Sequence, residues 1–330
     1  GGFNIAQQDQ QPCLLPRAVA VDPKTSSLLV ACMGIDALVA FDAASVRPSL
    51  TEKRRWAVPA GPNGVAVDGA KSRAVVWSQF DRALSVVSLS GPELVNEQPE
   101  LDQKVAVIEV PGPKIDPALA MGRRIFHASG DSRISADGRA CASCHPDGRD
   151  DALTWSTPNG PRRTLTLTDR LPETAPYAWD GTSKNLDHHL ANTFKRLRGT
   201  GVTRVEKAAL VAYLRSLASP VSATPRAPNE VIAYGDKVFH SQETGCASCH
   251  DGQKLTDNRQ HDVKSRTEAD AAPKFNTPSL RHVAQRGPYF HDGRYATLRE
   301  VLLGTDGAMG HSKHLKPQEL TALLAYLETL

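Results

Sequence analysis

No run of about 18 apolar residues occurs in the chain, which excludes a conventional membrane-spanning helix. Strong charge of either sign is also lacking. The formal net charge is only +3 and is spread along the sequence, so nothing favours nucleic acid or a membrane surface as partner. The start, Gly1-Gly2-Phe3, has neither the basic nor the apolar region of a secretory leader, and two expectations follow: a leader already removed, or a fragment. With 40% hydrophobic and 23% charged residues among 330, the composition is that of a folded protein with room for two or three domains. Methionine and cysteine are scarce, at three and six residues, so the places where they fall carry information.

Four of the six cysteines sit in a pentapeptide that occurs twice, Cys-Ala-Ser-Cys-His at Cys141, Cys144, His145 and at Cys246, Cys249, His250. In a Cys-x-x-Cys-His motif the two thiols form thioethers with haem vinyl groups, and the adjacent imidazole is the proximal iron ligand. A structural zinc site would use two Cys-x-x-Cys pairs and a thioredoxin-like site one. Neither accounts for a histidine directly after both pairs, so two covalently bound haem c groups are expected. Cytochrome c maturation takes place outside the cytoplasmic membrane, which predicts a periplasmic or exported protein. There the remaining cysteines, Cys13 and Cys32, have two readings, a disulfide or a pair of buried thiols.

Residues 14 to 110 read as β-structure. Ala18-Val19-Ala20-Val21-Asp22 is echoed by Val65-Ala66-Val67-Asp68, Leu29-Val30-Ala31 by Val75-Val76-Trp77, and Asp36-Ala37-Leu38 by Arg82-Ala83-Leu84, all at an offset of 46. Turn signals such as Asp22-Pro23-Lys24 and Gly61-Pro62-Asn63-Gly64 separate the short apolar runs. A period of that length is a propeller-blade period, and the pattern resembles YVTN-type β-propeller repeats. About two blades fit, whereas a closed propeller needs at least four. The expectation is therefore a propeller-like segment over residues 1–112, incomplete within this chain, with a small β-domain lacking any ring as the alternative.

A second repeat covers residues 113–217 and 231–330, joined by a linker at 218–230. Each copy opens with a helix carrying Gly and Phe four apart (Gly122 and Phe126; Gly235 and Phe239), followed by the pentapeptide, a long loop, an aromatic-rich turn and a closing helix. Thr203 with Glu206 predicts a capping box for one closing helix, and Pro317 starts the other. The small glycine lets the first and last helices cross closely. The expected fold is thus multidomain, an N-terminal all-β propeller-like segment followed by two all-α cytochrome c domains.

Ala175-Pro176-Tyr177-Ala178-Trp179-Asp180-Gly181 in the first copy is paralleled by Gly287-Pro288-Tyr289-Phe290-His291-Asp292-Gly293 in the second, which also has Thr277-Pro278-Ser279-Leu280. With the two haem motifs, these segments resemble the bacterial di-haem cytochrome c peroxidase family, which includes MauG. The resemblance covers residues 113 to 330 and does not reach the β-region. It implies that the first haem, on His145, reacts with hydrogen peroxide and that the second, on His250, supplies electrons. Trp179 matches the tryptophan that carries charge between them. It also implies Met309 as the second ligand of the second iron, with His311 and His314 as nearby substitutes.

The first haem is matched less closely. No histidine lies between His145 and His188, so the loop histidine that closes the resting peroxidatic haem in many family members has no counterpart. Spacing from Trp179 places His189 where the family keeps a catalytic amide, and Gly199 where it keeps an acidic residue. Three roles stay open for His189: a general acid-base group for O–O cleavage, an iron ligand (as His188 also could be), or a structural imidazole. Arg198 or Arg196 is the expected stabiliser of the leaving oxygen. Family members also hold a calcium ion, for which Asn159, Asn276 and Thr277 are the candidates.

The expected function is a di-haem c-type cytochrome peroxidase served by a small electron-donor protein, a cytochrome c or a cupredoxin. Two alternatives are a non-catalytic electron-transfer subunit of a larger redox assembly and a MauG-like peroxide-dependent oxidase of a protein substrate.

Overall fold

The computed structural model describes residues 12–90, 105–218 and 227–330. Most of the expected linker, and parts of the segment 1–112, lie outside them. The chain divides into two compact units, residues 1–143 with 194–210, and residues 144–193 with 211–330.

The first unit is built on two antiparallel four-stranded sheets of order β1-β2-β3-β4 and β5-β6-β7-β8. The strands are β1 (Pro16–Asp22), β2 (Ser27–Cys32), β3 (Ala37–Asp42), β4 (Glu52–Ala57), β5 (Pro62–Asp68), β6 (Arg73–Ser78), β7 (Ala83–Ser88) and β8 (Val105–Glu109). The 46-residue repeat is visible in their register: Val19 pairs with Val30, and Val65 with Val76. It is visible too in the turns, where Ser26 and Ser72 share φ values of 48° and 47°, and Asp36 and Arg82 share 51° and 50°. Alternation sends every second residue inward, so Leu29, Leu38, Ala40 and Trp56 of one sheet join Ala74, Val76 and Val87 of the other in one core. Burying each of the larger aliphatic side chains contributes roughly 1.5–3 kcal/mol.

That core corrects the propeller expectation. The two sheets spend their apolar faces on one another, and the described residues contain no closed propeller or barrel. The repeat period defines the unit, but two units do not close a ring. Cys13 and Cys32 form a disulfide, which settles that pair in favour of the bridge.

The helical part also departs from the all-α expectation. The described residues hold α1 (Pro117–His127), α2 (Cys141–Cys144), α3 (Leu186–Arg196), α4 (Arg204–Ser216), α5 (Asn229–Phe239), α6 (Leu298–Gly304) and α7 (Pro317–Leu327). The second unit adds two ribbons, β9 (Thr154–Thr157) with β10 (Gly160–Arg163) and β11 (Gln260–His261) with β12 (Phe275–Asn276). Their pairing gives partners to backbone groups in the long loops after each pentapeptide, which helical periodicity cannot reveal. The capping box before α4 forms as expected: Thr203 Oγ1 accepts from Glu206 N at 3.3 Å, and Thr203 N donates to Glu206 Oε2 at 2.9 Å. α7 starts at Pro317. It packs on α5, where a Cβ on Gly235 would collide with the backbone of Ala322. Phe239, Val283, Leu323 and Leu327 close the core beneath this crossing.

Candidate haem sites

The two pentapeptides fold into short helical turns, Cys141–Cys144 as α2 and Cys246–Ser248 as a 3-10 turn. The histidine after each turn is held in the same way. His145 Nδ1 lies 3.1 Å from the Arg149 carbonyl, and His250 Nδ1 lies 3.2 Å from that of Leu255. A carbonyl can only accept, so Nδ1 carries the proton and Nε2 carries the lone pair of each neutral imidazole. Metal-bound histidines are oriented by this kind of bond. His250 is 8% exposed, and burial holds its pKa below the ordinary histidine value, which favours the neutral, ligand-competent form. Burial likewise pushes the Cys246 thiol up.

Around His250 the second unit encloses a cavity of about 400 Å³ lined by Cys246, Cys249, Met309 and Trp179, among others. The thiols, the imidazole and the thioether are the donor set a c-type haem requires, and the remaining wall includes Leu280, Val283, Leu323 and Leu327. The residues fit the group. Met309 reaches this cavity because its loop runs against the pentapeptide: His311 N donates to Thr244 O at 2.9 Å, and Gly310 at φ 78° leaves no room for a side chain beside that carbonyl. His311 and His314 are exposed and do not line the cavity.

Trp179 sits on the same wall. Its Nε1 donates to the Arg163 carbonyl at 2.7 Å, and its ring meets His291 edge-on at 6.4 Å between centroids. These two residues occupy matching positions in the repeated aromatic turns. The turns themselves correspond in detail: the preceding residues, Ala178 and Phe290, have φ of 72° and 74°, and Tyr177 and Tyr289 each donate to a carbonyl six residues earlier. His291 is fully buried, stacked on Phe275 at 3.9 Å, with Nε2 2.9 Å from Asp270 Oδ2. Burial holds His291 below its ordinary pKa, so it is the neutral donor. Burial also pushes Asp270 upward, but bonds from Thr267, Arg162 and His291 outweigh it and leave the carboxyl well below the usual range. Neither His291 nor Asp270 is among the expected site residues, although aligning the two aromatic turns places His291 opposite Trp179.

The other candidates are placed as follows. His189 lies on α3, half-buried, with Nδ1 3.3 Å from Ser183 Oγ and its ring 6.4 Å from Tyr177. His188 is exposed on the same helix. Arg196 and Arg198 are exposed as well, and Arg198, at φ 58°, is bridged to Ser135 within the first unit. Among the calcium candidates, Asn276 Oδ1 is buried without a hydrogen-bond partner, as a cation ligand would be. The Asn159 carbonyl already accepts from Arg162 and Ala271, and that of Thr277 accepts from Thr256.

Residues 232–330 match the family described as Cytochrome c. The chain is 28% identical over 296 residues to the methylamine utilization protein MauG of Methylorubrum extorquens, covering 67% of this chain and 81% of that protein. It is 27% identical over 309 residues to the cytochrome-c peroxidase IdrP1 of Denitromonas iodatirespirans, covering 64% and 81%. Among solved structures it resembles hydrazine synthase of Kuenenia stuttgartiensis, with a TM-score of 0.56 and 25% identity over 66% of this chain and 89% of that one. The C-terminal part is thus a haem c domain, and its relatives support kinship with the di-haem peroxidases and MauG proteins.

Proposed function

We propose that the chain is a di-haem c-type cytochrome peroxidase that reduces hydrogen peroxide. The observation that carries this reading is the matched pair of Cys-Ala-Ser-Cys-His turns, each followed by an imidazole whose Nδ1 proton is tied to a carbonyl. Two cytochrome c domains are proposed, 113–217 and 231–330, with haem c held by Cys141, Cys144 and His145 in the first and by Cys246, Cys249, His250 and Met309 in the second. When bound, haem supplies the redox-active iron. The protein's own groups do the rest. His189, with Nδ1 beside Ser183, presents Nε2 as the base that takes the proton from the inner oxygen of peroxide and returns it to the outer one. Arg198 is the proposed partner of the leaving oxygen, and Trp179 is the proposed path for charge leaving the cavity of His250 and Met309. A calcium ion near Asn276, with Asn159 and Thr277 as further ligands, belongs to the same proposal but takes part in no step.

A small periplasmic cytochrome c or cupredoxin is the proposed donor. The Cys13–Cys32 disulfide supports an oxidising, exported location, and none of the described helices is long and apolar enough to cross a membrane. The test is steady-state peroxide consumption with a reduced donor protein. Turnover that stops when His145 is replaced by glycine supports the proposal. Turnover no faster than that of free haem overturns it.

Likeness to a hydrazine synthase subunit is compatible with a second reading, an electron-transfer subunit of a larger redox assembly. In that case His189 would ligate the first iron and peroxide would not be consumed. A MauG-like oxidation of a protein substrate would keep peroxide consumption and change only what is oxidised.

A further inference from the structure

Three arginines, Arg163, Arg170 and Arg286, line the cavity that also holds Cys246, Cys249, His250 and Met309. Arg163 and Arg286 are 5% and 7% exposed. Charges so withdrawn from water need opposite charge nearby. Among the described residues a single carboxylate is ion-paired with the trio: Asp150, 2.8 Å from Arg163 Nη2. The neighbouring Asp169 is engaged by Arg281 at 3.0 Å. Donor atoms are in surplus as well, for Arg163 Nε and Arg286 Nε and Nη2 are buried without hydrogen-bond partners. Arg286 uses Nη1 alone, on the Ser279 carbonyl at 3.2 Å. Burial pushes Arg286 down to about 8 and Arg170 to about 10, far from the ordinary guanidinium value.

The surplus of donors has the sign of an anionic ligand. Asp150, Asp151 and Asp169 all act on the trio electrostatically, but only Asp150 is ion-paired with it, so the leftover buried donors call for further carboxylate oxygens, and a haem carries two propionates. Guanidinium is the side chain that binds carboxylates in a planar, two-bonded fork.

We propose that Arg163, Arg170 and Arg286 form a cationic cradle for the propionates of the haem attached at Cys246 and Cys249. The inference rests on haem attachment at those residues. Arg163 is also a positioning residue, since its carbonyl receives the Trp179 indole N–H at 2.7 Å. One residue thereby links the edge of the haem to the orientation of Trp179.

The test uses the haem-loaded protein and the Arg286→Gln, Arg170→Gln and Arg286→Lys variants. Intact mass first establishes that haem is present on Cys246 and Cys249. Its absence would take the cradle down together with the reading of the site. In the loaded proteins, the potential of this haem is followed by spectroelectrochemistry between pH 5 and 8. Loss of a cation favours the ferric state. Each glutamine variant should therefore lower the reduced-to-oxidised ratio at fixed ambient potential about tenfold, equivalent to ~59 mV for one electron. A propionate freed from its cation should also titrate in this range, so the variant potentials should fall with rising pH where the parent's stays flat, while Arg286→Lys should stay close to the parent. Should Arg286→Gln fail to fold, Arg170→Gln carries the same expectation. Unmoved potentials and unmoved pH profiles in loaded protein would overturn the cradle and leave haem attachment intact. So would a shift confined to the other haem that persists in a Cys246→Ala, Cys249→Ala background.

Discussion

Replacing Asp270 with asparagine keeps the shape of the side chain and removes its charge, and it addresses the most heavily bonded carboxylate beside the cavity. Asp270 is completely buried and accepts from Thr267 N at 2.7 Å, Thr267 Oγ1 at 2.8 Å, Arg162 Nη1 at 2.5 Å and His291 Nε2 at 2.9 Å. Removing one member of a buried pair costs about 3–5 kcal/mol, because the partner is left charged and unmatched. Asparagine can still accept one bond, and Arg162 keeps its bonds to the Pro161 and Asn159 carbonyls, so the lower figure of about 3 kcal/mol is expected. For a body of this size that lowers Tm by roughly 6–12 °C, measured by thermal denaturation at pH 7. The pH dependence fixes the cause. Asp270 has a lowered folded pKa, so its contribution is present above the unfolded carboxyl value, about 3.9, and is lost as pH falls towards the folded one. The gap between parent and variant should be full at pH 7 and close below about pH 4. A Tm change under about 2 °C, or a gap that persists undiminished in acid, would refute the reasoning.

Other outcomes follow from the same geometry. Met309→Ala should abolish any methionine-to-iron charge-transfer band and lower the potential of the haem on His250, because the thioether favours ferrous iron; an unchanged spectrum would point to His311 or His314. His189→Ala should slow the reaction with peroxide by about 10² to 10⁴-fold without changing the spin state of the resting protein, measured by stopped-flow absorbance. Acceleration in that variant would identify His189 as a ligand.

The paired pentapeptide turns were legible in the sequence because they are local: five consecutive residues place two thiols and an imidazole on one short turn. The closing helices were legible for the same reason, through Thr203, Glu206 and Pro317. The 46-residue repeat correctly located the strands, yet its extension to a propeller failed. A period describes one sheet, whereas closure depends on how many sheets meet, and Leu29 and Val76 show that two already bury each other. His291 and Asp270 stand 21 residues apart and share no motif. Their pairing is a product of the loop fold, as is the meeting of Arg163 with Arg286. Met309 stood out through scarcity, and only the path of its glycine-rich loop shows why it faces the cavity while His311 does not.

The ferric EPR spectrum of the resting, haem-loaded protein tests the central claim most directly. A peroxidase with His189 beside its first iron, and His250 with Met309 on its second, should give one high-spin and one low-spin signal of comparable intensity. Two low-spin signals, unaltered by added peroxide, would contradict the account and identify an electron carrier.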